Sequence, residues 1–103
     1  MAEHFAEPPR PSVEHIARHV GGYFRVELRQ LRSERRGRHI LWPRQVGMYL
    51  ARRLTGLSLA QIGDYFGGRD HSTVLHACRK VEDALGRDTV LSGAVRQLQA
   101  ELV

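Results

Sequence analysis

The sequence predicts an all-α fold, a compact domain of about six helices that contains a helix-turn-helix. Apolar residues recur at i, i+3 or i+4, and i+7 along most of the chain, which is the period of a helix with one buried face. No segment shows the alternation of apolar and polar residues that marks a strand. Two glycines between two helical segments, Gly67 and Gly68, favour a tight turn. At 103 residues, the chain suits one domain with its own core.

The amino-terminal region divides into a leader and a first helix. Residues 1–11 hold three of the four prolines and few apolar side chains, so we expect a flexible leader before a domain over residues 12–103. Ser12 can cap a helix that runs to about Tyr23. A short second helical segment is expected near residues 26–31. The inward positions of the first helix are Val13, Ile16, Ala17 and Val20.

A basic segment precedes the longest predicted helix. The letters ERRGRH, residues 34–39, combine three arginines with a glycine and no apolar anchor, which predicts an exposed loop. Trp42 and Pro43 are expected to open the next helix, because proline at the first helical position loses no hydrogen bond. Its buried positions are Val46, Leu50 and Leu54.

The helix-turn-helix follows. Ser58 and Gln61 form a capping-box pattern at the start of a helix that stops at Gly67. Asp70 can cap the second helix of the unit. That helix repeats apolar residues at helical spacing, as does a last packing helix over residues 88–103. The two buried stripes are Val74, Cys78, Val81 and Leu85, and then Leu91, Val95, Leu98 and Leu102.

Charge points to a polyanionic partner. The formal net charge is +5, and the segment from Arg25 to Arg53 contains nine arginines and only two glutamates. The positive charge is therefore a patch rather than a uniform coating. A single cysteine excludes an internal disulfide, and no apolar run is long enough for a membrane span. We expect a cytoplasmic protein associated with the nucleoid.

The second helix of the helix-turn-helix carries short polar and cationic side chains opposite its apolar stripe, which suits the major groove of DNA. An ordinary solvated helix shows the same division. An arginine of the predicted loop over residues 34–39 could enter a minor groove. The alternative is that these charged side chains are only solvated. Arg44 and Gln45 could together hold a phosphate near a helix N-terminus. The polar face of the second helix of the helix-turn-helix comprises Arg69, Ser72, Thr73, His76, Arg79 and Lys80.

Enzyme and metal chemistry are not expected. Asp70, His71 and Ser72 have the residue types of a hydrolase triad, but consecutive helical residues point about 100° apart and cannot align for catalysis. His15 and His19 share a helix face without a third ligand in reach, so they are expected to be surface residues. The sequence predicts no catalytic residue, cofactor, metal ion or small-molecule substrate.

The block GGRDHSTVLHACRK and the preceding RRGRHILWPRQVGMYLARRLTGLSLAQIGDYF closely resemble domain IV, the C-terminal DNA-binding domain, of the bacterial replication initiator DnaA. The resemblance extends from about Val13 to Leu85. It implies a helical module that recognises the asymmetric DnaA box as double-stranded DNA. An asymmetric box and the lack of a coiled-coil pattern predict binding as a monomer.

The resemblance also implies a role for individual residues. Arg36 matches the arginine that enters the minor groove, and Asp70, His71 and Ser72 match residues that read bases in the major groove. Ser72 stands where the family usually has threonine, which removes a methyl contact to thymine. Trp42 and Ala60 likewise replace the commoner arginine and proline. The residues matching phosphate contacts are Arg38, Arg44, Gln45, Arg52, Arg69 and Thr73.

The biological context stays open at this level. No G-x-x-x-x-G-K-[ST] motif occurs, so the AAA+ ATPase domain of the initiator is not expected within these 103 residues. One hypothesis is a stand-alone regulator or competitor at DnaA-box-like sites, and another is the DNA-reading part of a replication initiator. The alternative from a different class is a basic module that binds proteins or acidic membranes and contacts DNA only nonspecifically.

Overall fold

Six helices follow one another in the part of the chain that this computed structural model describes, residues 10–103. This region contains no strand, which confirms the all-α prediction. Apart from Arg10 and Pro11, the predicted flexible leader lies outside the described residues. The helices are α1 (Val13–Phe24), α2 (Leu28–Leu31), α3 (Arg38–Leu54), α4 (Leu59–Tyr65), α5 (His71–Leu85) and α6 (Thr89–Leu102).

Helix α1 begins where its capping residue predicts. The Ser12 hydroxyl accepts a hydrogen bond from the backbone N–H of His15 at 3.0 Å, which satisfies one of the free donors at the helix start. The helix ends at Phe24, and the capping residue Arg25, whose φ is 58°, turns the chain towards α2. Ile16, Ala17 and Val20 on the inward face of α1 are buried, as predicted, whereas Val13 is only partly buried.

Helix α3 begins earlier than predicted, at Arg38 rather than at Trp42. Ile40 is buried and its backbone N–H bonds to the carbonyl of Gly37 at 2.9 Å, so burial of this side chain draws the preceding residues into the first turn. Pro43 therefore lies inside the helix, where it has no N–H to donate to the preceding turn. The predicted loop over residues 34–39 is corrected accordingly. The connection between α2 and α3 is residues 32–37, hereafter the basic loop.

The helix-turn-helix packs on α3. Helix α3 contacts α1, α2, α4 and α5, and its buried stripe includes Val46 and Leu50. Phe66 at the end of α4 and Val74 in α5 are fully buried in the same core. Because removing such large apolar side chains from water drives folding, the orientation of α5 is fixed by the core beneath it.

The start of α4 and the turn between α4 and α5 both have the predicted chemistry. Both halves of the capping box form, with Gln61 N–H to the Ser58 hydroxyl at 3.1 Å and Ser58 N–H to the Gln61 amide oxygen at 2.9 Å. Gly67 and Gly68 take φ of +87° and +76°, which favours glycine. The predicted helix-turn-helix is confirmed by this geometry.

Helix α6 packs against α1 and α5 and closes the core. The predicted stripe of this helix is buried, and Cys78 of α5 is fully buried in the same apolar cluster. Among the described residues, no helix has both the length and the apolar character to cross a membrane.

Candidate nucleic-acid interface

The first turn of α5 presents polar side chains to solvent. Asp70 caps the helix, and its Oδ1 accepts a hydrogen bond from the Thr73 backbone N–H at 2.8 Å. Hydrogen bonds from Thr73, that of its backbone first, lower the pKa of the Asp70 carboxyl, so the group is ionised at neutral pH. His71, Ser72 and Thr73 are exposed on the same turn. The structure thus brings the predicted base-reading residues of the major groove together.

An open cavity of about 740 Å³ lies between the basic loop and the first turn of α5. The walls of the cavity come from the basic loop, α3, the glycine turn and α5. Five of the predicted DNA-contact residues therefore border one space. The lining includes Arg36, Arg44, Gln45, Arg69 and Thr73, with Glu34, Leu41, Met48, Gly67, Gly68, His76 and Ala77.

Arg44 is buried, with only 2% of its surface exposed. Its Nε donates to the Leu31 carbonyl at 2.9 Å, its Nη1 to Arg35 at 2.7 Å, and its Nη2 to Gln30 at 2.8 Å. Burial, and secondly the charge of Arg69, lower the pKa of Arg44 to about 10, so the guanidinium keeps its charge at neutral pH. The sequence predicts a phosphate contact here, whereas the structure directs the guanidinium to backbone carbonyls of its own chain.

Arg69 contacts the same loop from the glycine turn. Its Nη1 donates to the Ser33 carbonyl at 2.9 Å and also to the carbonyl of Phe66. The side chain is half-buried, and this burial lowers its pKa first, with Arg36 lowering it further and Glu34 opposing the shift. Arg69 therefore ties the basic loop to the helix-turn-helix.

The remaining predicted phosphate contacts differ in exposure. Gln45 is 8% exposed and its Oε1 is buried without a hydrogen-bond partner among the described residues. A buried amide oxygen without a partner costs free energy, so Oε1 is suited to accepting a hydrogen bond from a donor group in the cavity, whereas a phosphate would need the amide NH2. Arg38 and Arg52 are both exposed on α3 and do not line the cavity.

Sequence reasoning gave no specific role to Arg32 or His76. Arg32 donates from Nε to the Tyr65 carbonyl at 2.9 Å, and its guanidinium lies 4.1 Å from the centre of the Tyr65 ring. The two residues are far apart in sequence, so no local pattern could indicate the pair. His76 lines the cavity three residues after Thr73, on the polar face of α5 where helical periodicity places it.

Metal-binding geometry is not formed in the part of the chain that the structure describes. There, no group of three His, Cys, Asp or Glu residues is close enough to hold a metal ion. The rings of His15 and His19 instead pack edge to face, with centroids 4.4 Å apart.

Comparison with protein families adds a decisive observation. The model of the bacterial dnaA protein helix-turn-helix matches residues 13–81, from the start of α1 through most of α5. The chain belongs to this family. The match includes the basic loop, the glycine turn and the exposed first turn of α5, so the candidate interface lies within the DnaA-family region.

Curated relatives are chromosomal replication initiator proteins DnaA. That of Brucella abortus biovar 1 (strain 9-941) is 50% identical over 93 residues, which are 90% of this chain and 19% of the relative. That of Rhodopseudomonas palustris (strain TIE-1) is 47% identical over 109 residues, which are 99% of this chain and 23% of the relative. The chain thus spans about a fifth of the length of these DnaA relatives.

A solved structure supports the fold. The crystal structure of a DNA replication initiation factor superimposes with a TM-score of 0.74 at 28% sequence identity. The similarity covers 88% of this chain and 29% of the solved one. The architecture of the DnaA-family region is therefore shared over most of the described helices.

Proposed function

We propose that this domain binds double-stranded DNA sequence-specifically at DnaA-box-like sites and does so as a monomer. The observation that carries the proposal is the shared cavity, since Arg36 of the basic loop and Thr73 of α5 border the same space. A loop arginine and the exposed start of a helix on adjoining surfaces suit simultaneous contact with the minor and major grooves.

In this proposal, α5 enters the major groove by its first turn. His71 and Ser72 supply hydrogen-bonding groups at base edges, and the Asp70 carboxylate can accept from a cytosine amino group. Asp70 also caps α5, since its Oδ1 accepts from the Thr73 backbone N–H, and the two carboxylate oxygens together have lone pairs for a further donor. Arg36 enters the adjoining minor groove, where the negative potential of narrow A·T-rich DNA attracts a guanidinium.

Phosphate contacts are assigned to groups around the base-reading residues. Arg38 and Arg52 are exposed on α3, and Thr73 is exposed on α5. Gln45 lies at the cavity wall, and its amide NH2 is the group that can donate to a phosphate oxygen, since the buried carbonyl oxygen only accepts. These contacts would fix the position of the domain on the duplex, while the base contacts supply specificity.

The function we propose is therefore that of a DNA reader. It would occupy the same class of sites as the DnaA initiators to which the chain is similar, either as a regulator or competitor there or as the DNA-binding part of an initiator. No catalytic role is proposed for this domain.

The test is fluorescence anisotropy with a labelled duplex carrying a DnaA box and a scrambled duplex of the same composition. We expect the box to bind at least about a thousandfold more tightly, the lower end of specific discrimination. Arg38 and Arg52 are the cations among the proposed phosphate contacts, so a plot of log affinity against log salt should have a slope of about −1.8 or steeper. Equal binding to both duplexes would contradict sequence-specific recognition, and a slope near zero would contradict the phosphate contacts.

Trp42 offers an independent reporter of the interface. It is the only tryptophan of the chain, is 38% exposed, and lies one helical turn after Arg38. We expect its emission to shift to shorter wavelength when the DnaA-box duplex binds, because DNA beside the start of α3 would exclude water from the indole. The control is an unlabelled titration with Trp42→Phe, which should lose the signal and retain binding by anisotropy. Unchanged Trp42 emission at saturation would place the duplex elsewhere on the domain.

A further inference from the structure

We propose that Arg44 is a positioning residue for the minor-groove contact: it holds the basic loop in one conformation so that Arg36 is presented to DNA already oriented. This inference rests on the proposed function and deepens it. It also assigns Arg44 a role different from the phosphate contact that the family resemblance implies.

The hydrogen bonds of Arg44 join both ends of the loop region. Two of its carbonyl partners, Gln30 and Leu31, belong to the end of α2, and the third, Arg35, lies directly before Arg36. A cation at the C-terminus of a helix is favoured by the partial negative charge of the carbonyl groups that point out of that end. The guanidinium therefore bridges a fixed helix end to the residue that precedes the proposed minor-groove side chain.

Two neighbours complete this arrangement. The Ser33 hydroxyl donates to the Gln30 carbonyl at 2.7 Å and accepts from the Arg35 backbone N–H at 3.2 Å. Arg69 holds the Ser33 carbonyl from the opposite side of the loop at 2.9 Å. The backbone before Arg36 is thus held from α2, α3 and the glycine turn, although the Arg36 side chain itself is exposed.

The physical consequence is a smaller entropic cost of binding. If a loop becomes ordered only when DNA binds, the lost conformational entropy reduces the binding affinity. A loop that is already held in place does not incur this loss. Only arginine can fill this position, because its planar fork carries five N–H donors in fixed directions. A lysine keeps the charge but cannot reach three carbonyls that lie on different sides of the guanidinium.

The experiment is a double-mutant cycle on the full chain with Arg36→Ala, Arg44→Lys and the double variant, measured by anisotropy with the DnaA-box duplex. If Arg44 acts through Arg36, Arg44→Lys should lower affinity about tenfold when Arg36 is present and less than about twofold in the Arg36→Ala background. A direct phosphate contact predicts a different result, in which Arg44→Lys retains the charge and affinity is nearly unchanged. Equal losses in both backgrounds, or no loss in either, would overturn the proposal.

Folding is monitored by circular dichroism because Arg44 is buried. Ser33→Ala is the second variant, since it loosens the loop without changing any charge and remains informative if Arg44→Lys does not fold. It should show the same dependence on Arg36 with a smaller effect, and an additive loss would overturn the proposal. If the wild type binds the DnaA box specifically but the losses in the mutant cycle are additive, this inference alone is wrong. If the wild type shows no specific binding, the proposed function is wrong as well.

Discussion

Replacing Gly63 by alanine is expected to lower the free energy of unfolding by about 3 kcal/mol or more, because the new methyl group has no space. A Cβ at this position would lie 1.9 Å from the carbonyl oxygen of Arg69 and 3.2 Å from a methyl group of Val74. The clash is with backbone, so no side-chain rotation can relieve it. The Gly63 carbonyl also accepts from the N–H groups of Gly68 and Arg69, at 3.0 and 2.9 Å. Helix α4 and the start of α5 would have to separate and break these bonds.

The matched control is Gly93→Ala in α6. A Cβ there meets nothing within 4 Å, and the residue lies in an exposed helix position. Alanine should therefore stabilise the domain by about 0.5–1 kcal/mol through helix propensity. Urea unfolding followed by circular dichroism measures both variants. If Gly63→Ala were as stable as the wild type, the close approach of α4 to the glycine turn would be contradicted.

The chain encodes much of this architecture locally. The capping residues Ser12, Ser58 and Asp70 each use a side chain to satisfy a backbone donor three residues later, so their role is visible in a short stretch of sequence. The positive φ values at Gly67 and Gly68 follow from the residue type in the same way. These signals were sufficient to predict the helix-turn-helix.

The features that escaped prediction depend on distant partners. Burial of Ile40 extends α3 to Arg38, yet Ile40 opens a run of three consecutive apolar residues with Leu41 and Trp42, and such a run has no helical period. Arg44 bonds to the backbone carbonyls of Leu31 and Arg35, outside its own helix, and every residue type has such a carbonyl. A pattern of side chains can therefore indicate that Arg44 is cationic but not that its charge is directed inward.

The same distinction applies to the candidate interface. The exposed first turn of α5 could be predicted because helical periodicity separates it from the buried stripe. The cavity that joins α5 to the basic loop could not, because its walls come from four segments brought together by the core under α3. The role proposed for each residue in DNA contact rests on the family resemblance. The structure shows which of those side chains are exposed and which are held by contacts within the chain.

Arg36→Ala is expected to weaken binding to the DnaA-box duplex by about tenfold to a hundredfold, the range of a good base contact. The Arg36 side chain is exposed at the cavity, while the backbone before it is held by Arg44. The substitution therefore removes the contact and leaves the loop in place. Anisotropy measures the loss, and Arg35→Ala is the control because it removes the same charge from the neighbouring position while retaining the carbonyl that Arg44 binds.

Both variants lose one positive charge, so the general attraction to DNA falls equally and the difference between them isolates the groove contact. A modified duplex locates that contact. Replacing adenine by 2,6-diaminopurine adds an amino group to the minor groove and leaves the major-groove edge unchanged. This duplex should weaken the wild type and Arg35→Ala but affect Arg36→Ala little. Equal sensitivity of all three proteins would place Arg36 outside the minor groove, since only a side chain in that groove meets the added group.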